Sequence, residues 1–508
     1  MTGEFDYDLV VIGGGPAGEK GAAQAAYFGK RVLLVEREEF PGGAAVHTGT
    51  LPSKTLRETA IFLSGYRQRE LYGLSISMNR ELAVPKLLSR KNQVRELEVS
   101  RIRWNLERHG VETMQGIGRL LDPHTVEIVC RTPAKAGAPK NRKVRARAIL
   151  IATGSKPYQP SDIPFEDDAI DDSDTILVLD NLPKTMTILG AGVIGCEYAS
   201  MFAAMQVKVT LVDAKPSLLP FLDAELGDRL RTALEHLGVE FRLGTSTVAG
   251  SVKRDDLAIR SQPSSGTAQD TTPKAAYPGD PAEERGCIAY TLSTGETCYT
   301  DKLLVCAGRS GRTEDLGLEA LGIERDKRGY VKVNTNYQTA VPHIYAVGDV
   351  IGFPALASTS KEQGRIAACH AFQLDYRRPM SDLIPFGIYT IPEVSSVGMS
   401  EEAATAKGIA YVVGRAFFQD NARGKIIGDK EGMIKLLFSR DDRKLIGCHC
   451  IGDRASELVH IGQAVLTLGG TIDTFVEMVF NYPTLSESYK YAAYDALGRL
   501  GTRASSVP

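Results

Sequence analysis

The stretch Leu9-Val10-Val11-Ile12-Gly13-Gly14-Gly15-Pro16-Ala17-Gly18 is an apolar run that breaks into a glycine turn and opens a helix rich in alanine. Lys30 to Glu36 then reads as a second strand ending in an acid. The same unit returns later, with Met186 to Leu189 as strand, Gly190, Gly192 and Gly195 in the turn, and Val207 to Asp213 as second strand. Every counterpart lies 177 residues further on, and in each copy the acid stands 18 residues beyond the third glycine. A βαβ unit that binds a dinucleotide places its acid at roughly 20. The first glycine permits the turn, the second lets a pyrophosphate approach the backbone, and the third lets helix and strand pack closely. The helix N-terminus, here opened by Val193 and Ile194 in the second copy, offers unpaired N–H groups and a positive dipole end to phosphate.

One such turn is a weak signal; two, each with its acid, imply an α/β fold with two Rossmann-like dinucleotide-binding domains. The chain has 508 residues, and at roughly 150 residues per domain there is room for about three or four. Lys plus Arg at 60 nearly balances Asp plus Glu at 62, so no field collects nucleic acid and the expected partners are small molecules. The N-terminus enters an apolar strand with no secretory leader, and no segment has the roughly 18 apolar residues of a membrane helix. The expectation is a cytoplasmic protein without membrane contact. Eight cysteines are scattered without a disulfide pattern and read as reduced thiols. Cys448 and Cys450 share a strand face, but no further ligands follow at zinc spacing, so no metal is expected.

From Arg254 to about Arg285 the composition turns to Ser, Thr, Pro, Gly, Asp and Lys without apolar periodicity, as in a mobile surface insertion. The basic run Arg131 to Arg145 reads as a hairpin tip. Beyond about Ile384 strands and helices continue without glycine turns, which marks a separate C-terminal domain.

Gly13-Gly14-Gly15-Pro16-Ala17-Gly18 with Glu36 resembles the FAD site of the flavoprotein disulfide reductases. Three further segments are similar to FAD-domain segments of that family: Ile151-Ala152-Thr153-Gly154-Ser155, Val305-Cys306-Ala307-Gly308-Arg309, and Ile344-Tyr345-Ala346-Val347-Gly348-Asp349 followed by Leu356 and Ala357. The resemblance implies that Asp349 binds the ribityl hydroxyls, that Leu356 and Ala357 lie near the flavin pyrimidine edge, and that Gly42, Gly43, Ala45, Lys54 and Gly118 also line FAD. It implies an FAD-binding domain over 1–160, an NAD(P)-binding domain over 161–304 with an insertion near 254–285, an FAD and central segment over 305–383, and an α+β dimerisation domain over 384–508. A homodimer is thus expected, with higher assembly open. Lys54 and Glu197 match the family's pair near flavin N5, where a cation stabilises negative charge on the ring. In the second copy Asp213 suits the ribose of NAD(H) and its charge opposes a 2′-phosphate; Lys215 is the one cation near it in sequence, so NADP(H) use stays open.

Two positions depart from the disulfide reductases. Where that family carries two cysteines before Pro-Ser-Lys, Gly42-Gly43-Ala44-Ala45-Val46-His47-Thr48-Gly49-Thr50-Leu51-Pro52-Ser53-Lys54 has Ala45 and Thr50. Tyr482 stands where the family has its acid/base histidine, while Glu487 is kept; a tyrosine of pKa near 10 is a poor proton shuttle at neutral pH. Nucleophile, partner sulfur and base are lost together, so electrons cannot leave through a disulfide.

Within the family the combination is most similar to the soluble pyridine nucleotide transhydrogenases, although those generally keep a cysteine where Ala45 stands. The implied reaction passes hydride from NADPH to flavin N5 and then to NAD+, reversibly, with orientation and electrostatics from the protein. Two other readings remain: an FAD-dependent NAD(P)H:quinone or dye reductase, and a nucleotide-binding or sensing protein without turnover. His47 either caps the helix at Pro52 or touches substrate, with a structural role the preferred reading.

Overall fold

The computed structural model describes residues 4–66, 71–73, 80–130, 141–255, 287–375 and 379–501. The chain divides into two compact units, Met1–Thr59 with Pro85–Tyr158 and Gly308–Ile384, and Ala60–Val84 with Gln159–Ala307 and Pro385–Pro508. The insertion expected over 254–285 falls almost wholly outside the described residues. Its first residue, Arg254, is part of a short strand, Lys253–Asp255, paired antiparallel with Cys287–Thr291. Of the hairpin tip expected over Arg131 to Arg145, residues 131–140 also lie outside them, while 141–145 begin the strand Asn141–Ile151, which pairs antiparallel with Thr125–Val129.

The first unit is organised by the strand Asn141–Ile151, whose sequence changes character half-way. Lys143-Val144-Arg145-Ala146-Arg147 alternates polar with apolar, and the first half of the strand pairs antiparallel with Thr125–Val129 in a meander that continues to Ile117–Asp122. Ala148-Ile149-Leu150-Ile151 is continuously apolar and buried, and pairs parallel with Tyr7–Ile12 on one side and Ile344–Ala346 on the other. Alternation suits a sheet wet on one face, and a continuous run suits a parallel strand covered on both. Outward from Tyr7–Ile12 come Val32–Glu36 and Glu112–Gln115, also parallel.

Val10, Ile12, Leu33, Val35 and Ile149 pack on one face of this sheet with Leu120, Val126 and Ile128 of the meander. Leu9, Val11, Leu34 and Leu150 pack on the other with helix residues Ala22, Ile102, Leu106 and Ala367. Two of those helices, Pro16–Tyr27 and Ala357–Ala371, meet backbone to backbone: a Cβ on Gly364 would lie 2.2 Å from the Ala17 carbonyl oxygen. The helix Arg80–Arg108 escapes a periodicity reading because its buried apolar stripe, which includes Val84, Leu87, Val99, Ile102 and Leu106, is narrow and set in a strongly charged sequence.

The second unit contains a five-stranded parallel sheet in the order Val239–Leu243, Lys208–Asp213, Thr185–Leu189, Lys302–Val305, Ile170–Asp172. Its C-terminal part is a five-stranded antiparallel sheet, Phe386–Ile388, Glu393–Gly398, Leu445–Gly452, Met433–Ser439, Tyr411–Phe417. The helices Ala455–Thr467 and Ser488–Gly501 seat against it at glycines. A Cβ on Gly414 would fall 1.9 Å from the Ala492 carbonyl oxygen, and one on Gly462 would fall 2.4 Å from Cys448 Sγ.

Candidate functional site: two nucleotide turns

The two glycine turns are near copies in three dimensions. Gly13 and Gly190 have φ of +106° and +107°, a region closed to side-chain-bearing residues. A Cβ on Gly18 or Gly195 would lie 1.9 Å from the carbonyl oxygen of Gly13 or Gly190, so helix and turn touch directly. The middle glycines differ from these: a Cβ on Gly192 meets nothing within 4 Å, and one on Gly15 meets only Gly43 Cα at 3.8 Å. The mouth of each turn is therefore open space bordered by backbone. Gly15 and Gly192 cap the helices Pro16–Tyr27 and Val193–Ala204 in extended conformation, and no side chain caps the first-turn N–H groups of either helix. Such an end is built to receive an anion.

The acids are held alike. Glu36 accepts from the N–H groups of Gly14 (2.7 Å) and Glu38 (3.0 Å); Asp213 accepts from those of Ala191 (2.7 Å) and Lys215 (2.8 Å). Each carboxylate thus stands at the rim of its turn, one oxygen tied to the turn and the other to the residue two positions on. An open phosphate-sized mouth, an uncapped helix end and a fixed carboxylate fit a dinucleotide in both copies.

Around the first copy, Gly42 donates to the Gly14 carbonyl oxygen (2.8 Å), and a Cβ on Gly43 would come within 2.9 Å of Gly15 Cα. The Gly42-Gly43 segment is thus pressed against the turn, and Ala45 follows half-buried on the short helix Gly43–His47. Thr50, exposed, begins the helix Thr50–Ser64 that carries Lys54. Among the described residues His47 Nε2 lies 3.2 Å from the carbonyl oxygens of Phe40 and Pro41, not at the expected helix cap. Gly118 is buried in the strand Ile117–Asp122, where a Cβ would press on Ile12 Cγ2 at 3.0 Å. Leu356 is the extended N-cap of the helix Ala357–Ala371, whose first turn again has no side-chain cap.

Ser155, Asp349 and Arg309 come together in the same unit. The Ser155 hydroxyl donates to Asp349 Oδ2 (2.9 Å), Arg309 Nε donates to Ser155 Oγ (2.8 Å), and Thr153 Oγ1 donates to the Arg312 carbonyl oxygen (2.6 Å). Motif reading missed Gln363, buried on the helix Ala357–Ala371, which accepts from the Gly348 N–H at 2.7 Å and so orients the turn before Asp349. No local signal marks it, because its partner is 15 residues away across a turn.

In the second unit Glu197 lies on the helix Val193–Ala204, only 6% exposed, and its Oε1 accepts from the Tyr389 N–H at 2.9 Å. Tyr482 is 73% exposed, while Glu487 closes the turn Leu485–Glu487 and accepts a long bond from the Tyr491 hydroxyl (3.5 Å). The Glu487 charge pushes the Tyr491 hydroxyl above its usual pKa. Cys448 and Cys450 are buried beside the Tyr489 hydroxyl, at 3.3 and 3.8 Å, and no group of three or more His, Cys, Asp or Glu among the described residues is arranged to hold a metal.

A different cavity, of about 1030 Å³, is lined by Glu225, Arg229, Glu401, Arg415 and Lys435 among others. Its wall is an ionic cluster in which fully buried Lys435 donates to Asp223 (2.7 Å), Glu225 (2.9 Å) and Glu401 (2.5 Å). Arg415 adds bonds to Glu225 and Glu401 at 2.8 and 3.2 Å. This cluster ties the helix Ala224–His236 to the C-terminal sheet. None of its lining residues belongs to either glycine turn.

Residues 7–364 match the family model described as pyridine nucleotide-disulphide oxidoreductase, and residues 384–493 match that family's dimerisation domain. The chain belongs to the pyridine nucleotide-disulphide oxidoreductase family. Among its relatives, proteins named soluble pyridine nucleotide transhydrogenase from Mycobacterium tuberculosis and Hahella chejuensis are 44% and 39% identical over 495 and 500 residues. The alignments cover 97% of this chain and 98% of the first relative, and 98% of this chain and 99% of the second. The crystal structure of LpdA from Mycobacterium tuberculosis is 26% identical, with a TM-score of 0.81 over 96% of this chain and 99% of that one. The HOCl-induced flavoprotein disulfide reductase RclA from Escherichia coli, 24% identical with a TM-score of 0.80 over 96% and 99%, shares the fold. As a family member the chain is an oxidoreductase that uses FAD and nicotinamide nucleotides. Among the described residues no helix is long and apolar enough to cross a membrane.

Proposed function

We propose that this chain is an FAD-dependent soluble pyridine nucleotide transhydrogenase of the cytoplasm, exchanging hydride reversibly between NADPH and NAD+ without a disulfide relay. The observation that carries this reading is the pair of matched nucleotide turns in a chain with Ala45 and Thr50 where a sulfur pair would stand. The names of relatives at 39–44% identity support it.

The chemistry that bound FAD would supply is hydride exchange between nicotinamide rings. The chain's own residues bind and orient. Gly13 to Gly18 and the end of the helix Pro16–Tyr27 would hold the FAD pyrophosphate, Glu36 would accept from the adenosine ribose and Asp349 from the ribityl chain. Gly190 to Gly195 and Asp213 hold the nicotinamide nucleotide in the same manner. By the family resemblance Lys54 would bring positive charge to a bound redox ring, and Glu197, fixed by the Tyr389 N–H, is the carboxylate that the resemblance pairs with it. Segments 1–160 and 305–383 serve FAD, 161–304 the second nucleotide, and 384–508 forms the homodimer, in which Tyr482 and Glu487 stand where the disulfide reductases keep their acid/base.

Asp213 favours a second reading, an NADH-linked quinone or dye reductase, because a fixed carboxylate opposes the 2′-phosphate of NADPH. The test is anaerobic. The protein is bleached with NADPH, then given thio-NAD+ or a quinone while flavin and product absorbance are followed. Catalytic reoxidation by thio-NAD+ is the expected outcome; a need for quinone, or bleaching by NADH alone, would replace transhydrogenation with the second reading.

A further inference from the structure

The hydrogen bonds around Ser155 have a forced direction. A guanidinium can only donate and an ionised carboxylate can only accept, while a serine hydroxyl carries one proton and two lone pairs. Arg309 Nε donates to Ser155 Oγ at 2.8 Å, so the single Ser155 proton points to Asp349 Oδ2 at 2.9 Å. Ser155 is buried and cannot trade these partners for water. Its backbone is held as well, since its carbonyl oxygen accepts from Arg309 Nη2 and from Arg312 Nε, both at 3.0 Å. Asp349 is only half-buried, and among the described residues its other oxygen, Oδ1, accepts no hydrogen bond.

We propose that Arg309 and Ser155 are a positioning relay for Asp349: they commit Oδ2 and turn Oδ1 outward as the acceptor for a hydroxyl of the FAD ribityl chain. Ser155 and Arg309 then act on FAD through Asp349. This inference rests on the FAD reading above.

Loss of a hydrogen bond to a charged group weakens an interaction by roughly 10- to 100-fold. The test uses full-length holoprotein diluted to nanomolar concentration, with released FAD read by its fluorescence. Ser155→Ala is expected to raise the FAD dissociation constant by roughly 10- to 100-fold, and Ser155→Thr, which restores the hydroxyl, to recover most of the loss. Arg309→Met should weaken retention in the same direction and add little on top of Ser155→Ala, since both cut one chain of bonds. Unfolding midpoints of the FAD-stripped proteins separate the relay from loss of fold: a drop in FAD retention without a matching drop in midpoint supports it. Retention by Ser155→Ala equal to wild type, or no recovery with Ser155→Thr, would overturn the relay alone. A wild-type protein that never holds FAD would overturn the FAD reading together with it.

Discussion

Asp213 accepts a hydrogen bond from the backbone N–H of Ala191 at 2.7 Å, the distance at which Glu36 accepts from Gly14 in the other copy of the turn. The bond fixes the carboxylate at the rim where an adenosine ribose would sit. With its second oxygen tied to Lys215 N–H, Asp213 has no rotamer that withdraws its charge without breaking a bond. NAD+ should therefore bind more tightly than NADP+, by about 10-fold or more. Asp213→Asn keeps the acceptor geometry on one side and removes the charge, and should narrow that ratio mainly by strengthening NADP+. Calorimetric titration of both nucleotides against both proteins checks this; an unchanged ratio would remove Asp213 from the selectivity argument.

The proposed electron route requires no sulfur, since Ala45 and Thr50 stand where the disulfide reductases carry cysteines. Burial pushes the Cys196 and Cys306 thiols well up, and Cys450 is pushed up by its bond with Cys448 and then by burial, so little reactive thiolate forms at neutral pH. Prolonged iodoacetamide treatment at pH 7.5 should leave thio-NAD+ reduction within about two-fold of the untreated rate. Stoichiometric loss of activity with one alkylated cysteine, located by peptide mass, would show that a thiol takes part after all.

Lys435 compensates Asp223, Glu225 and Glu401 in a buried setting. Burial alone would lower its pKa, but the bonds to Asp223, Glu401 and Glu225 outweigh burial and raise it. Lys435→Met should cost about 3–5 kcal/mol of unfolding free energy, because it takes the cation from fully buried Asp223 and leaves Arg415 bonded to half-buried Glu225 and Glu401. Urea denaturation reads this directly, and a loss below about 1 kcal/mol would mean that the cluster relaxes to water.

His449 is buried, with Nε2 donating to the Met399 carbonyl oxygen (2.9 Å) and Nδ1 without a partner among the described residues. Burial lowers its pKa; the nearby Asp223, Glu402 and Met399 carbonyl oppose that shift, and Lys435 reinforces it. His343 is lowered in the same way, by burial first and then by stacked His124, against the opposing bond to Pro123. A histidine held neutral takes up its proton more readily in the unfolded chain, so stability should fall as pH drops below about 6.5, by at most about 1.4 kcal/mol per pH unit for each histidine. Urea midpoints between pH 7.5 and 5.5 should show the slope, reduced in His449→Gln; a steeper slope in the variant would reverse the assigned sign.

By itself the sequence determined both nucleotide turns, because their requirements are local. A positive φ at Gly13 and Gly190, a missing Cβ at Gly18 and Gly195, and an acid one strand later all fall within about thirty residues of contiguous chain. Ala45 and Thr50 are equally legible, since losing a sulfur needs no geometry to interpret. The roles of Ser155, Gln363, Tyr389 and Lys435 were decided only by tertiary structure. Ser155 meets Asp349 from 194 residues away because Asn141–Ile151 and Ile344–Ala346 lie side by side in one parallel sheet, and parallel neighbours are joined by crossovers of arbitrary length. Glu197 and Tyr389 are 192 residues apart, Asp223 and Lys435 212. A bond across such distances leaves no period or spacing in the chain; it exists only once burial has forced each polar group to find the partner that water no longer supplies.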